Sequence, residues 1–128
     1  MIHNFTESTD PRWLFICSAG LQRSPTGAAL AIKKGINARS CGNSTKYALI
    51  PLSANLIKWA DKIIFVNMEN YEQALISFED YEALHYSLIT KSQVLDIQDI
   101  YVYNDPDLII LFEQQIDWVR AFGNKTSY

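Results

Sequence analysis

The chain has 128 residues, 48% hydrophobic and 20% charged, a composition typical of one soluble globular domain with its own core. Its formal charge of −3 and pI near 5.2 argue against nucleic acid as the main partner, because binding to a phosphate backbone requires a basic surface. No apolar run approaches the roughly 18 residues that span a bilayer, so no membrane partner is expected.

The ends of the chain and its cysteines set further expectations. The first ten residues contain two acids and no apolar stretch, unlike a secretory signal. Two cysteines do not make a disulfide framework, so a reducing, cytoplasmic location is expected. We predict a single domain over 1–128, with 1–11 as an N-terminal extension and 123–128 as a C-terminal tail.

Short apolar runs alternate with amphipathic stretches along the chain. In chain order, this pattern predicts a strand at 13–16, a helix at 24–34, a strand at 36–41, a helix around 52–59, a strand at 63–66, a helix at 71–78 that 81–88 either continues or follows as a separate helix, a strand at 94–97, and a last helix from Asp105 to Gly123 with Leu108, Leu111, Phe112 and Val119 on one face. Ser24 is the expected N-cap of the first helix, and Gly35 its expected end. The order predicts an α/β fold, a three-layer, doubly wound, four-stranded parallel sheet that binds ligands at the carboxyl ends of its strands.

The loop after the first predicted strand carries the clearest chemical signal. After Cys17 the chain continues with Ser18, Ala19, Gly20, Leu21, Gln22, Arg23 and Ser24. A loop between a buried strand and a helix start points backbone N–H groups at one spot, and the helix N-terminus adds partial positive charge there. Arg23 adds a two-pronged donor suited to phosphate. In such surroundings the Cys17 thiol would lose its proton readily and become a nucleophile.

We therefore predict that residues 18–24 bind phosphate above Cys17. The alternative is that Cys17 is a buried structural cysteine, the usual role of a lone cysteine. That alternative leaves the charge of Arg23, beside a buried strand end, without a reason.

A leaving oxygen needs a proton, so a carboxylic acid is expected at the same edge of the sheet. The acids around the loop after the fourth predicted strand are Asp96, Asp99 and Asp105. Asp105 precedes a proline at a helix start, which favours an N-cap, and Asp96 lies inside the apolar run. Asp99 stands in the loop itself, near Tyr101 and Tyr103, which could form a wall for an aryl substrate or simply pack.

The chain resembles the low-molecular-weight protein tyrosine phosphatases over about residues 12–120, and especially a short bacterial and phage-type branch of predicted protein tyrosine phosphatases. The resemblance rests on these motifs: Phe15-Ile16-Cys17-Ser18 through Arg23-Ser24-Pro25-Thr26, Ser40-Cys41-Gly42, Trp59-Ala60-Asp61, Met68-Glu69, Asp96-Ile97-Gln98-Asp99-Ile100-Tyr101 and Asp105-Pro106-Asp107-Leu108-Ile109. It implies a flavodoxin-like, phosphotyrosine phosphatase I-like fold. It also implies Cys17 as nucleophile, Arg23 as phosphate clamp, Ser24 as hydroxyl partner of the thiolate and Asp99 as general acid.

Three departures from the family pattern concern the loops. The family usually has Asn at the position of Gly20, where it ties the loop to a serine that matches Ser40. Glycine can adopt the same left-handed backbone, but the tie is lost. Eukaryotic members have a second loop cysteine where this chain has Gln22, and the family's acid precedes a Pro-Tyr pair where Ile100-Tyr101 stands here.

The predicted function is hydrolysis of a phosphomonoester, with a phosphotyrosine protein or an aryl phosphate as substrate and a phosphocysteine intermediate. No cofactor is required, and the sequence offers no metal cluster, since His3 and His85 are isolated. Classical and dual-specificity tyrosine phosphatases share the local loop string, but most of their fold precedes the cysteine, and only 16 residues do so here.

Two alternatives stay open. Arsenate reduction needs additional cysteines, and only Cys41 is available. A non-catalytic phosphate- or phosphopeptide-binding module is the second alternative, in which Gly20 has weakened the loop. The sequence does not predict the physiological substrate or the oligomeric state.

Overall fold

The structure is a computed structural model that describes residues 11–44, 46 and 48–118. Four parallel strands form one sheet in the order β2-β1-β3-β4: β1 Arg12–Cys17, β2 Asn37–Gly42, β3 Lys62–Phe65 and β4 Ser92–Val94. Cys17 ends β1 opposite Gly42 of β2. The strand order reverses at β1, with β2 on one side and β3 on the other, and ligands bind at such a switch point in open α/β sheets.

Five helices within the described residues cover the sheet: α1 Arg23–Lys33, α2 Ala54–Trp59, α3 Met68–Ser77, α4 Glu82–Lys91 and α5 Pro106–Gln115. Side chains of β1 alternate between two hydrophobic clusters, because successive strand residues point to opposite faces. Trp13, Phe15 and Cys17 pack with α1 and α5, whereas Leu14 and Ile16 pack with α2, α3 and α4. The predicted three-layer, doubly wound α/β fold is therefore confirmed.

Several predicted boundaries were wrong. The fourth strand is Ser92–Val94 and not 94–97, although the next segment stays pinned to β3 by hydrogen bonds from Leu95 N to Phe65 O at 2.8 Å and from Ile97 N to Val66 O at 2.9 Å. Leu95 and Ile97 of the apolar run at 94–97 are buried beside the sheet, but only the first residue of the run belongs to the regular strand. The last helix ends at Gln115, before Val119 and Gly123, which lie outside the described residues, as do most of the predicted extension and tail.

Helix ends follow the predicted chemistry at two positions and depart from it at one. Gly35 ends α1 with φ +86°, and the Asp105 side chain caps α5 by accepting from Asp107 N at 2.9 Å. Ser24 does not cap α1: the helix begins at Arg23 after Gln22, and no side chain caps it. The Ser24 hydroxyl is instead turned towards Cys17.

Candidate active site

Three groups converge on the sulfur of Cys17, whose side chain is buried. Backbone N–H groups of Gly20 and Ser24 donate to Sγ at 3.2 and 3.4 Å, and Ser24 Oγ lies 3.0 Å from Sγ. Ser24 Oγ also lies 3.2 Å from Cys41 O. With one hydrogen, the hydroxyl can donate to the carbonyl while it accepts from a thiol, or donate to a thiolate. These groups therefore stabilise negative charge on the sulfur.

The loop at residues 18–22 is braced by β2 and the segment that follows it. Asn43 N donates to Cys17 O at 3.0 Å, and Ser44 N donates to Ser18 O at 2.9 Å. Gly20 has φ +75°, and a Cβ on it would lie 3.0 Å from Cys41 C and Gly42 N. Glycine at position 20 can therefore adopt a left-handed backbone and approach β2 closely. A side chain there would strain the backbone and would force nearby atoms to move.

Arg23 is 2% exposed and lies at the first turn of α1. Its Nη1 donates to Ile97 O at 2.9 Å, and its Nε lies 3.5 Å from Asp99 Oδ1. The bond to Ile97 O fixes the plane of the guanidinium. The opposite edge, Nε with Nη2, is the edge that can bind two oxygens of one phosphate.

The loop after β4 is docked onto α1 and onto the loop at 18–22. Tyr103 N donates to Gln22 Oε1 at 2.6 Å, and Asn104 N donates to Thr26 Oγ1 at 2.7 Å. Through these bonds and its contact with Arg23, Asp99 sits at the mouth of the site with its side chain 73% exposed. Asp105, in contrast, is engaged as the cap of α5.

A cavity of about 170 Å³ lies above the sulfur, lined by Cys17, Ser18, Ala19, Leu21, Gln22, Arg23 and Asp99. A larger groove of about 480 Å³ shares Ser18, Arg23 and Asp99 with it and extends along the start of α3. Neither predicted wall residue lines the cavity. Tyr101 packs partly against the core cluster of β1, α1 and α5, and Tyr103 is exposed, so their role stays a prediction.

The remaining predicted site residues are placed as follows. Ser40 lies in β2 opposite Phe15, and within the described part of the chain its side chain makes no hydrogen bond to the loop. Cys41 lies in the hydrophobic cluster on the other face of the sheet from Cys17. Burial, and then negative charge on Cys17, raise the pKa of the Cys41 thiol to about 12.

Sequence reasoning missed the contacts that hold the two loops. Gln22 and Thr26 bind the loop that carries Asp99, while Asn70 binds Ser18 and is itself held by Asn43. Gln22 was expected to bind phosphate and Thr26 lies in one of the motifs above, but no local signal predicted that either would bind the loop after β4. Asn43 and Asn70 carry no local signal, because tertiary folding alone brings them to Ser18. No helix within the described residues is long and apolar enough to cross a membrane, and no three metal-binding side chains cluster in that part of the chain.

Neither a protein-family model nor a curated protein matches the chain in sequence, whereas solved structures match its fold. The YwlE arginine phosphatase from Geobacillus stearothermophilus superposes with a TM-score of 0.60 at 16% identity, covering 91% of this chain and 93% of its own. The low-molecular-weight protein tyrosine phosphatase from T. tengcongensis gives 0.58 at 15% identity, with 91% and 99% covered.

A third similar structure is a cysteine-to-serine mutant of YwlE with a phosphorylated active-site serine. It gives a TM-score of 0.57 at 16% identity, with 91% of this chain and 95% of that chain covered. The chain thus has the fold of the low-molecular-weight protein tyrosine phosphatases.

Proposed function

We propose that this protein is a cysteine-dependent phosphomonoesterase that acts on a phosphotyrosine protein or another aryl phosphate. The observation that carries the proposal is the convergence of two backbone N–H groups and the Ser24 hydroxyl on Cys17 Sγ, at the floor of a cavity that Arg23 and Asp99 also line. A buried structural cysteine needs no such donors. The fold is also that of phosphatases that act on phosphotyrosine or phosphoarginine, as the names of the similar structures state.

The reaction proceeds in two steps. In the first, Cys17 Sγ attacks phosphorus in line with the leaving phenol, the S–P bond forms and the P–O bond breaks. The carboxylic acid of Asp99 gives its proton to the leaving oxygen. In the second, Asp99 takes a proton from water, the water oxygen attacks phosphorus, and the S–P bond breaks to release phosphate and the thiolate. The phosphorylated serine of the YwlE mutant is consistent with a phosphoryl group carried at the equivalent position.

Arg23 and the loop amides stabilise the transferring group. The guanidinium edge of Nε and Nη2 can bind two equatorial oxygens once the 3.5 Å contact between Nε and Asp99 is replaced by phosphate. That exchange frees the Asp99 carboxyl to meet the leaving oxygen. The Ile97 carbonyl keeps the guanidinium in place during the exchange.

The two alternatives are weaker. Arsenate reduction would need a second thiol to attack an adduct on Cys17, and Cys41 lies on the opposite face of the sheet with its thiol buried and its pKa raised to about 12. A pure binding module leaves the exposed Asp99 carboxyl, held at the mouth, without a task.

The test is phosphate release from p-nitrophenyl phosphate and phosphotyrosine peptides, with phosphoarginine as comparison substrate. Cys17→Ser is expected to be inactive but to bind phosphate. Asp99→Asn is expected to be slowed roughly 10²–10⁴-fold, the usual contribution of a general acid. Asp105→Asn is the matched control: the same change at the α5 cap is expected to cost little stability, because Asn caps a helix about as well as Asp, and little rate.

Three results would contradict the proposal. A wild type that binds phosphopeptide without turnover would support the binding module. Thiol-coupled reduction of arsenate would support the reductase. Near-normal Asp99→Asn activity together with a folded but inactive Asp105→Asn would show that the acid is Asp105.

A further inference from the structure

Two buried amides, Asn43 and Asn70, lie next to Ser18. Asn70, in the first turn of α3, is 2% exposed, and Asn43, just after β2, is 9% exposed. Asn43 Nδ2 donates to Asn70 O at 2.6 Å. Asn70 Nδ2 donates both to Asn43 Oδ1 and to Ser18 Oγ, each at 3.1 Å. The start of α3 is therefore joined to the loop through one carboxamide.

The donor and acceptor of each of these three hydrogen bonds follow from the chemistry of the groups. A backbone carbonyl can only accept, so the Asn43 atom facing Asn70 O must be the amide nitrogen. The other end of Asn43 is then an acceptor, and the Asn70 atom facing it must be a nitrogen. The same Asn70 nitrogen reaches Ser18, so Ser18 Oγ is the acceptor. Flipping either amide would place two acceptors or two donors against each other.

This polarity leaves the hydrogen of the Ser18 hydroxyl free. Among the described residues, Ser18 Oγ donates to none, and Ser18 lines both the cavity above Cys17 and the groove beside it. Asn70 Oδ1 has no hydrogen-bond partner among the described residues, so the side chain of Asn70 is held through Nδ2 alone. An oxyanion in the cavity is the group that such a hydrogen would bind, because it offers acceptors and negative charge.

We infer that the Ser18 hydroxyl donates a hydrogen bond to the oxyanion held above Cys17, and that Asn70 is the positioning residue that imposes this direction. The inference rests on the proposed function and adds a side-chain donor to the backbone donors of the loop. Asn70 acts only through Ser18 and does not touch the substrate.

The test is a double-mutant cycle with orthovanadate as the probe, its affinity measured by protection of Cys17 from alkylation. Ser18→Ala is expected to stay folded and to bind vanadate about 10-fold more weakly than wild type, with a modest loss of stability because one hydrogen of Asn70 Nδ2 loses its acceptor. Asn70→Ala is expected to lose a similar factor and also stability. The double variant is expected to bind no more weakly than Ser18→Ala alone, because Asn70 then has nothing to orient. Gln73, in α3, also lines the groove beside the cavity, and Gln73→Ala, which removes an amide there, is the matched control and is expected to bind like wild type.

The outcomes separate the two levels of the argument. A wild type that binds no vanadate overturns the proposed function and this inference with it. If wild type binds vanadate and hydrolyses aryl phosphate while Ser18→Ala binds equally tightly, only this inference is overturned. Additive losses in the double variant overturn the role of Asn70. Should Asn70→Ala fail to fold, Ser18→Ala alone decides whether the hydroxyl binds the anion.

Discussion

Gly20 and Gly35 provide a pair of substitutions that isolates one feature of the loop. Both glycines have positive φ, +75° and +86°, so alanine at either position is forced into the left-handed region. They differ in surroundings. A Cβ on Gly20 would lie 3.0 Å from the backbone atoms Cys41 C and Gly42 N, whereas a Cβ on Gly35 would meet nothing within 4 Å.

The expected magnitudes follow from that difference. The left-handed backbone costs an alanine about 1–2 kcal/mol at either position. Overpacking adds about 1–3 kcal/mol at Gly20 alone, because the atoms in the way belong to β2 and cannot rotate aside. We therefore expect Gly35→Ala to lower the free energy of unfolding by about 1–2 kcal/mol, and Gly20→Ala to lower it by about 2–5 kcal/mol. Alanine also lowers the conformational entropy of the unfolded chain, which stabilises the folded state. This stabilisation is common to both variants and cancels in the comparison.

Urea denaturation of the two variants measures the difference directly, and hydrolysis of p-nitrophenyl phosphate measures its effect on the site. Gly20 N donates to Cys17 Sγ at 3.2 Å, so a shifted loop is expected to lower kcat at least 10-fold in Gly20→Ala. Gly35→Ala is expected to keep wild-type kcat. Equal losses of stability in the two variants, or a fully active Gly20→Ala, would refute the argument that close packing against β2 holds the loop.

Two further predictions concern Cys41 and Gln22. The pKa of Cys41 is raised from 9.0 to about 12, so its contribution to stability is complete below pH 9 and is lost as the pH rises towards 12, because the unfolded thiol ionises first. The free energy of unfolding of wild type, relative to that of Cys41→Ala, is expected to fall by about 1.4 kcal/mol between pH 8 and pH 10; a pH-independent difference would contradict the buried thiol. Gln22→Ala removes the acceptor of the 2.6 Å bond from Tyr103 N and releases the loop that carries Asp99. Its kcat on an aryl phosphate is expected to fall about 10-fold with vanadate affinity unchanged, since the acid and not the anion site is displaced; a loss of affinity at constant kcat would place Gln22 in the phosphate site instead.

The strand before Cys17 and the helix after it were both predicted from local sequence. Continuous apolar runs identify strands buried on both faces, and such strands occur in parallel sheets covered by helices. The helix that follows Cys17, ended by Gly35 with φ +86°, is also a local signal. Order and layers were therefore predictable, whereas β4 and the end of α5 were misplaced, because burial without regular pairing produces the same apolar pattern as a strand or helix.

The sequence by itself determined which residues could do chemistry, since Cys17, Arg23 and Ser24 lie close together along the chain, at the two ends of one short loop. Tertiary structure decided what supports them. Asn70 reaches Ser18 across 52 positions and Gln22 meets Tyr103 across 81, contacts that no local pattern encodes. It also decided between the two roles predicted for the Ser24 hydroxyl, which is a partner of the sulfur and not a helix cap. The physical reason is that a polar side chain near a turn has several possible partners of similar strength, and only the packed sheet and helices bring one of them within hydrogen-bond distance.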